Sequence, residues 1–347
     1  MKKILIDIGH PAHVHYFKNL IKILKNKGHK FCIISRDKDV AHSLLKTYNI
    51  PFISRGKGAK SFLGKFLYLF RANYIIYKAA KSFNPDIFLS FASPYAAQVS
   101  WLLKKHHIAF TDTEHAKLGN FAFSKFSKTI VTPECLPVDF GLKHIKFNGY
   151  MELSYLHPNY FKGDDLIHKV LGLGKKDKYV LLRFVSWDAS HDYGMKGLTY
   201  DLKVEMVQKL SKHCKVFISS EKKLPEVLKK YQIKISPYKI HDVLKYCSLF
   251  IGEGATMASE CAVLGVPAIY LNEIECSTCS EQQHKYDILY NFRSFNGVLD
   301  KALRILDEKD RKKYRKKSDT MIKSKVDVTK FMVKLVEDFP DSIKDFK

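Results

Sequence analysis

Long apolar runs are missing from this chain of 347 residues. Nothing approaches the roughly 18 residues that cross a bilayer. The opening Met1-Lys2-Lys3, followed by Ile4 to Ile8, is too short for the core of a signal peptide, so the chain is expected to be cytoplasmic. Cysteine is sparse, odd in number and scattered: seven residues cannot form the dense framework of a small secreted domain. Cys276 and Cys279 are the only close pair, and without a matching second pair or His pair they read as ordinary thiols rather than zinc ligands. Acidic residues are also few. The 35 Asp and Glu face 59 Lys and Arg, a net charge of +24 that points to anionic partners: nucleic acid, anionic lipid or phosphorylated metabolites. No recognisable RNA- or DNA-binding module accompanies that charge, so nucleic acid is not expected.

What is present is globular usage, 46% hydrophobic and 13% aromatic, in a length that suits about two domains. The charge is uneven between them. Residues 1–150 carry 24 Lys/Arg against 8 Asp/Glu, a surplus of 16, and the remaining 197 residues supply only the other 8.

Apolar, β-branched runs alternate with amphipathic stretches along the chain, the pattern of parallel sheets with crossover helices. In the first half the strands are read at Ile4 to Ile8, Phe31 to Ser35, Phe52 to Ser54, Asp86 to Ser90, Ile108 to Thr111 and Thr129 to Thr132. In the second they are read at Tyr179 to Phe184, Val216 to Ser219, Ser248 to Gly252 and Ala268 to Leu271. This predicts an α/β chain of two Rossmann-like, doubly wound domains facing each other across a cleft. An acceptor-side domain would cover 1–150, a donor domain 151–320, and C-terminal helices over 321–347 would pack across the junction. Ligands of such sheets sit outside the carboxyl ends of the strands, so the loops after each strand are where chemistry is sought.

The segment Ser248 to Tyr270 carries the strongest local signal. A buried strand ends at Gly252, a turn passes through Gly254, and a helix opens near Thr256 with its free N–H groups available for phosphate. Glu260, one turn on, suits two adjacent ribose hydroxyls, or else it acts on the helix dipole. Arg183, leaving an apolar strand, needs a partner: a diphosphate, or a carboxylate such as Glu253. His191, in the loop after that strand, could touch phosphate or sugar, and Ser186 beside it is counted with the donor site.

In the first half, His10, His13 and His15 follow the first strand, and an imidazole there suits proton transfer. His13 is the first choice of base and His10 a phosphate contact. The three rings could ligate a metal on residue type, but Pro11 interrupts them and no metal is expected. Thr111-Asp112-Thr113-Glu114-His115 brings two carboxylates to the end of another strand, as bases or as helix caps. Residues 55–81 hold seven Lys/Arg and no acid among Phe, Leu, Tyr and Ile. This is either a basic crossover helix or an amphipathic segment for an anionic membrane surface.

On these residues the chain resembles a known group. Ser236 to Asn291 looks like the donor-binding half of GT-B nucleotide-sugar enzymes, among them the N-acetylglucosaminyltransferase of peptidoglycan synthesis and the non-hydrolysing UDP-N-acetylglucosamine 2-epimerase. The opening Asp7 to Asn19, with Gly-His-Pro-Ala-His, and the segment Asp112 to His115 resemble an uncharacterised GT-B-like family of bacteria and archaea. The resemblance implies base contacts from Tyr238, Ile240 and His241, and diphosphate contacts from Gly254, Ala255 and Thr256. It also implies ribose contact from Glu260 and sugar contacts from Gln282 and Gln283. The Gly-Thr-Arg-Pro-Glu opening of the epimerases is absent.

The expected activity is therefore metal-independent, inverting glycosyl transfer from a nucleotide sugar, UDP-linked, to a lipid-linked or glycan acceptor in surface-glycan synthesis. His13, Asp112 or Glu114 would take the proton, at the inner face of the membrane. A 2-epimerase is the rival enzyme, and a non-catalytic binder of anionic lipid or polymer the rival from another class.

Overall fold

The structure, a computed structural model, describes residues 1–59, 61–185, 198–220 and 223–346. It divides into two units, Met1–Tyr155 with Val326–Lys347, and Leu156–Lys325.

The first unit is built on seven parallel strands: β1 (Lys3–Ile8), β2 (Lys30–Ser35), β3 (Ile53–Ser54), β4 (Ile87–Phe91), β5 (His106–Phe110), β6 (Thr129–Pro133) and β7 (His144–Phe147). Their order is β3-β2-β1-β4-β5-β6-β7. The register pairs Asp7 with Ile34 on one side and with Ser90 on the other. Strands covered on both faces read as continuous apolar runs. β4 and β6 accordingly have every residue buried, as do five of the six in β1.

Helix starts follow the local chemistry. His10 caps the helix Pro11–Asn26, which has Pro at its first position. The hydroxyls of Ser61 and Ser93 accept from backbone amides to cap Phe62–Phe83 and Pro94–Leu102. The C-terminal segment returns to this unit. Its helix Val328–Glu337 lies against Pro11–Asn26, with Thr329 Oγ1 and Asn19 Nδ2 both donating to the Ser154 carbonyl, at 2.6 and 2.9 Å.

Among the described residues the second unit holds five parallel strands, β8 (Tyr179–Phe184), β9 (Lys215–Ser220), β10 (Leu249–Gly252), β11 (Ala268–Leu271) and β12 (Leu289–Phe292), in the order β12-β11-β10-β8-β9. β8 and β10 meet closely at Gly252. A Cβ there would come within 2.9 Å of Arg183 Cβ and 2.5 Å of the Phe250 ring, so only glycine fits.

Candidate functional site

Strand order locates the binding end of each sheet. The direction of strand addition reverses between β1 and β4 in the first unit and between β8 and β10 in the second, and such switch points leave a crevice outside the carboxyl ends.

At the first switch point, Asp7 is fully buried and accepts from Arg55 Nε at 2.9 Å and from the Ser93 hydroxyl. Arg55 also donates to the Tyr68 hydroxyl, and its guanidinium lies 4.7 Å from the centre of the Tyr95 ring. Burial works against the Arg55 charge, but the attraction of Asp7 and the neighbouring tyrosines outweighs it, and the pKa is raised. Arg55, one of the seven cations of 55–81, is thus 2% exposed and turned inward rather than toward a surface partner.

Above this pair, Gly9 N–H donates to His13 Nδ1 at 3.3 Å and Ala12 N–H to His10 Nδ1 at 3.2 Å. A nitrogen that accepts from an amide carries no proton, so each neutral ring bears its hydrogen on Nε2. Burial, followed by the charges of His10, Lys38 and Arg55, holds the His13 pKa well below the ordinary histidine value, although the side chain keeps partial exposure. A neutral ring with hydrogen on Nε2 is a hydrogen-bond donor rather than a ready base. His15 points elsewhere, buried with its ring 5.4 Å from that of Tyr155.

The His13 ring lies 6.0 Å from that of Tyr16, nearly parallel, and the Tyr16 hydroxyl donates to Asp112 Oδ2 at 3.4 Å. His13 and Asp112 are thereby brought to one place. Burial pushes the Asp112 carboxyl up to about 6. The Thr113 hydroxyl pulls it back, nearby Glu114 raises it further and Tyr16 again opposes. A carboxylate with that acidity can exchange a proton near neutral pH. Glu114 is 11% exposed and lies 3.7 Å from His115 Nε2. Asp112 does not cap a helix: the next one, Lys117–Ser124, starts after Ala116 without a side-chain cap.

At the second switch point, β10 leads through Glu253 and Gly254 into the nine-residue helix Ala255–Val263. Gly254 at its N-cap supplies no side chain, and Thr256 in its first turn is exposed. Glu253 is buried, its two oxygens accepting from the amides of Val185 at 3.0 Å and Leu198 at 2.8 Å. Arg183 Nη1 donates to Ser219 Oγ at 2.8 Å. Ser186 and His191 lie outside the described residues.

Glu260 and His241 meet at 3.0 Å, both almost fully buried, between the helices Ala255–Val263 and Ile240–Tyr246. Tyr238 is 41% exposed just before the latter helix, and Ile240 is half-buried at its start. Gln282 and Gln283 diverge. Gln282 is fully buried and donates to Ser259 Oγ at 2.9 Å, while Gln283 Oε1 accepts from the Asn291 backbone at 2.6 Å and from its side chain at 3.0 Å.

Comparison with known proteins gives this arrangement a context. The family model described as "Protein of unknown function (DUF354)" matches residues 2–339. The chain belongs to the DUF354 family. It is 26% identical over 277 residues to the uncharacterised protein MJ0665 of Methanocaldococcus jannaschii, covering 76% of this chain and 80% of the relative. Among solved structures, S. aureus MnaA in a co-structure with UDP superposes with a TM-score of 0.71 at 12% identity, over 99% of this chain and 98% of that one. The UDP-GlcNAc 2-epimerase of M. jannaschii gives 0.65 at 14%, over 88% and 93%. The glycosyltransferase SsfS6 of Streptomyces sp. SF2575, complexed with thymidine diphosphate, gives 0.63 at 14%, over 97% and 100%. The DUF354 protein has the GT-B fold.

The inward-facing part of the first DUF354 switch point was the part least visible in the sequence. Asp7, an acid inside an apolar strand, was the available signal, because a buried carboxylate requires a partner. That the partner is Arg55 follows only from strand order.

Proposed function

We propose that this protein is a metal-independent, inverting glycosyltransferase that moves a sugar from a nucleoside-diphosphate donor, UDP-linked, to an acceptor hydroxyl in surface-glycan synthesis. The observation that carries the reading is the helix Ala255–Val263, which opens at the second switch point on a glycine N-cap, with no side-chain cap to its first amides among the described residues. Free N–H groups and the helix dipole there suit a diphosphate and stabilise it as it departs, with Arg183 adding a fixed positive charge. UDP and thymidine diphosphate, bound in two of the fold's neighbours, are ligands of that class. Glu260, fixed by His241, is assigned to the ribose. In the first unit Asp112 accepts the proton of the acceptor hydroxyl, and His10 and His13 donate through Nε2 to anionic or hydroxyl oxygens.

The test is thermal shift and calorimetry with nucleoside diphosphates and their sugars, with and without EDTA. Saturable stabilisation that survives EDTA supports the reading, because a ligand that binds the native state alone raises the melting temperature. No stabilisation by any of them overturns it in favour of a non-catalytic binder of anionic lipid or polymer.

A second reading, a nucleotide-sugar 2-epimerase, is favoured by one observation. Asp112 and Glu114 are two carboxyl groups in one loop, with Asp112 raised to about 6, as an acid–base pair requires. Incubation with the sugar nucleotide alone separates the two, since only the epimerase isomerises it without an acceptor.

A further inference from the structure

We propose that three neighbouring helices of the first unit, Phe62–Phe83, Pro94–Leu102 and Lys117–Ser124, form a docking face for an anionic phospholipid bilayer. The crossovers β3 to β4, β4 to β5 and β5 to β6 all run the same way across the sheet. Right-handed connections therefore put these three helices on one side, where each packs against the next.

Their outward residues are apolar. In Phe62–Phe83 the side chains of Leu63, Phe66, Leu67, Phe70 and Tyr74 are 52–67% exposed, and their spacing of three and four makes one continuous stripe. The opposite stripe, Tyr68, Ala72, Ile76 and Ala80, is buried against the sheet. A helix that buried only one apolar face would present polar residues on the other; this one presents two apolar faces. The next helix adds Trp101 and Leu102, 61% and 60% exposed, and the third adds Leu118 and Phe121, 87% and 58% exposed. The five-residue stripe of Phe62–Phe83 is an exposed apolar patch of the kind that marks an interaction surface, and the two neighbouring helices add further exposed apolar residues on the same side of the sheet.

Charge selects the occupant. The span of these three helices, residues 61–128, contains nine Lys/Arg and three acids, Asp86, Asp112 and Glu114. Arg71, Lys78 and Lys81 border the first stripe, and Lys125 lies 4.1 Å from the centre of the Phe121 ring. A second copy of the chain would bring this surplus against itself. An anionic bilayer takes the apolar stripe among its acyl chains and the cations on its headgroups. Among the described residues no helix is long and apolar enough to cross the membrane, so the helices lie along its surface. The inference does not depend on the nucleotide reading and stands or falls separately from it.

The test uses the full chain with Trp187→Phe, which leaves Trp101 as the one tryptophan of the two. Vesicles of phosphatidylcholine alone are compared with vesicles containing about one third phosphatidylglycerol, an anionic fraction of the kind basic amphipathic helices recognise. Expected are co-sedimentation and a blue shift of Trp101 emission with the anionic vesicles, both weakened by salt. The combined variant Phe66→Asn, Leu67→Asn, Phe70→Asn should partition about tenfold or more weakly. Trp101→Ser with Leu102→Ser, on a separate helix, should also lose affinity, and Lys78→Glu with Lys81→Glu should remove the preference for anionic lipid. The proposal is overturned if the unaltered face ignores anionic vesicles, or if variants with unchanged melting temperature bind as before. It is also overturned if the apolar variants convert a dimer into a monomer without changing lipid binding.

Discussion

Arg55 Nε and Asp7 Oδ1 lie 2.9 Å apart with almost no exposure of either side chain, joining the segment after the edge strand β3 to β1, two strands away. Ser93, just after β4, donates to the same carboxylate, so one buried acid ties together three of the chain segments that make the first switch point. Removing one member of a buried ion pair leaves the other uncompensated at a cost of about 3–5 kcal/mol, whereas replacing both with apolar groups is often neutral. Arg55→Met should therefore lower the melting temperature sharply. Adding Asp7→Leu should restore much of it. Thermal unfolding of both single variants and the double variant measures the coupling, and simple additivity would contradict the arrangement.

Asp112 should leave a pH signature in stability and in rate. Its carboxyl is pushed up to about 6 in the folded chain against 3.8 ordinarily, so the folded state holds this proton more tightly than the unfolded state does. The stability this contributes is complete below about pH 4 and is lost as the pH rises through 6. Asp112→Asn removes that loss. The variant should melt higher than the parent at pH 7 to 8, and the difference should shrink toward pH 4. If Asp112 is the base, kcat/KM of the parent rises along a limb centred near 6, and the variant loses both the limb and most of the rate, about a hundredfold or more.

The central strands were legible because burial on both faces makes a parallel strand an apolar run. Tyr179–Phe184 and Ala268–Leu271 were read to the residue. The strands that were missed are edge strands. β7 alternates His144 and Lys146 with buried Ile145 and Phe147, and in β12 only Leu289 is fully buried, so neither offers a continuous run. Arg55 opens the basic segment 55–81, where its sequence neighbours name no partner, and only the sheet brings it to a carboxylate 48 residues away. The pairing of His241 with Glu260 is invisible in the sequence for the same reason: each residue stands out by itself, and only the packing of their two helices joins them across 19 residues.

His13 should hold one tautomer. With Gly9 N–H donating to Nδ1 and the pKa held well below the ordinary value, the ring stays neutral with its hydrogen on Nε2 across the neutral pH range. Long-range nitrogen–proton NMR correlations of histidine-labelled protein distinguish the two ring nitrogens directly. A protonated ring at pH 7 would contradict the geometry, and a neutral ring with its hydrogen on Nδ1, leaving Nε2 free to accept, would return His13 to consideration as a base. His13→Gln keeps a donor near the same place and should retain more activity than His13→Ala.

The Glu260–His241 pair yields the prediction most specific to the second unit. Both side chains are nearly buried and 3.0 Å apart, so His241 fixes one carboxylate oxygen of Glu260 within the helix that begins at the proposed diphosphate site. Glu260→Gln preserves shape and can still meet the ring, but it replaces a charge-assisted acceptor with a neutral amide. A hydrogen bond to a charged group contributes about 1.5–3 kcal/mol, so nucleotide affinity should fall about 10- to 100-fold while the melting temperature without ligand changes little. His241→Ala leaves the Glu260 charge buried with one partner fewer. That variant should lose unliganded stability as well as affinity. Calorimetry with UDP on both variants, set against their melting temperatures without ligand, separates a ribose contact from a structural pair. Unchanged affinity in Glu260→Gln, with the fold intact, would assign this carboxylate to holding two helices together and move the ribose elsewhere on the second unit.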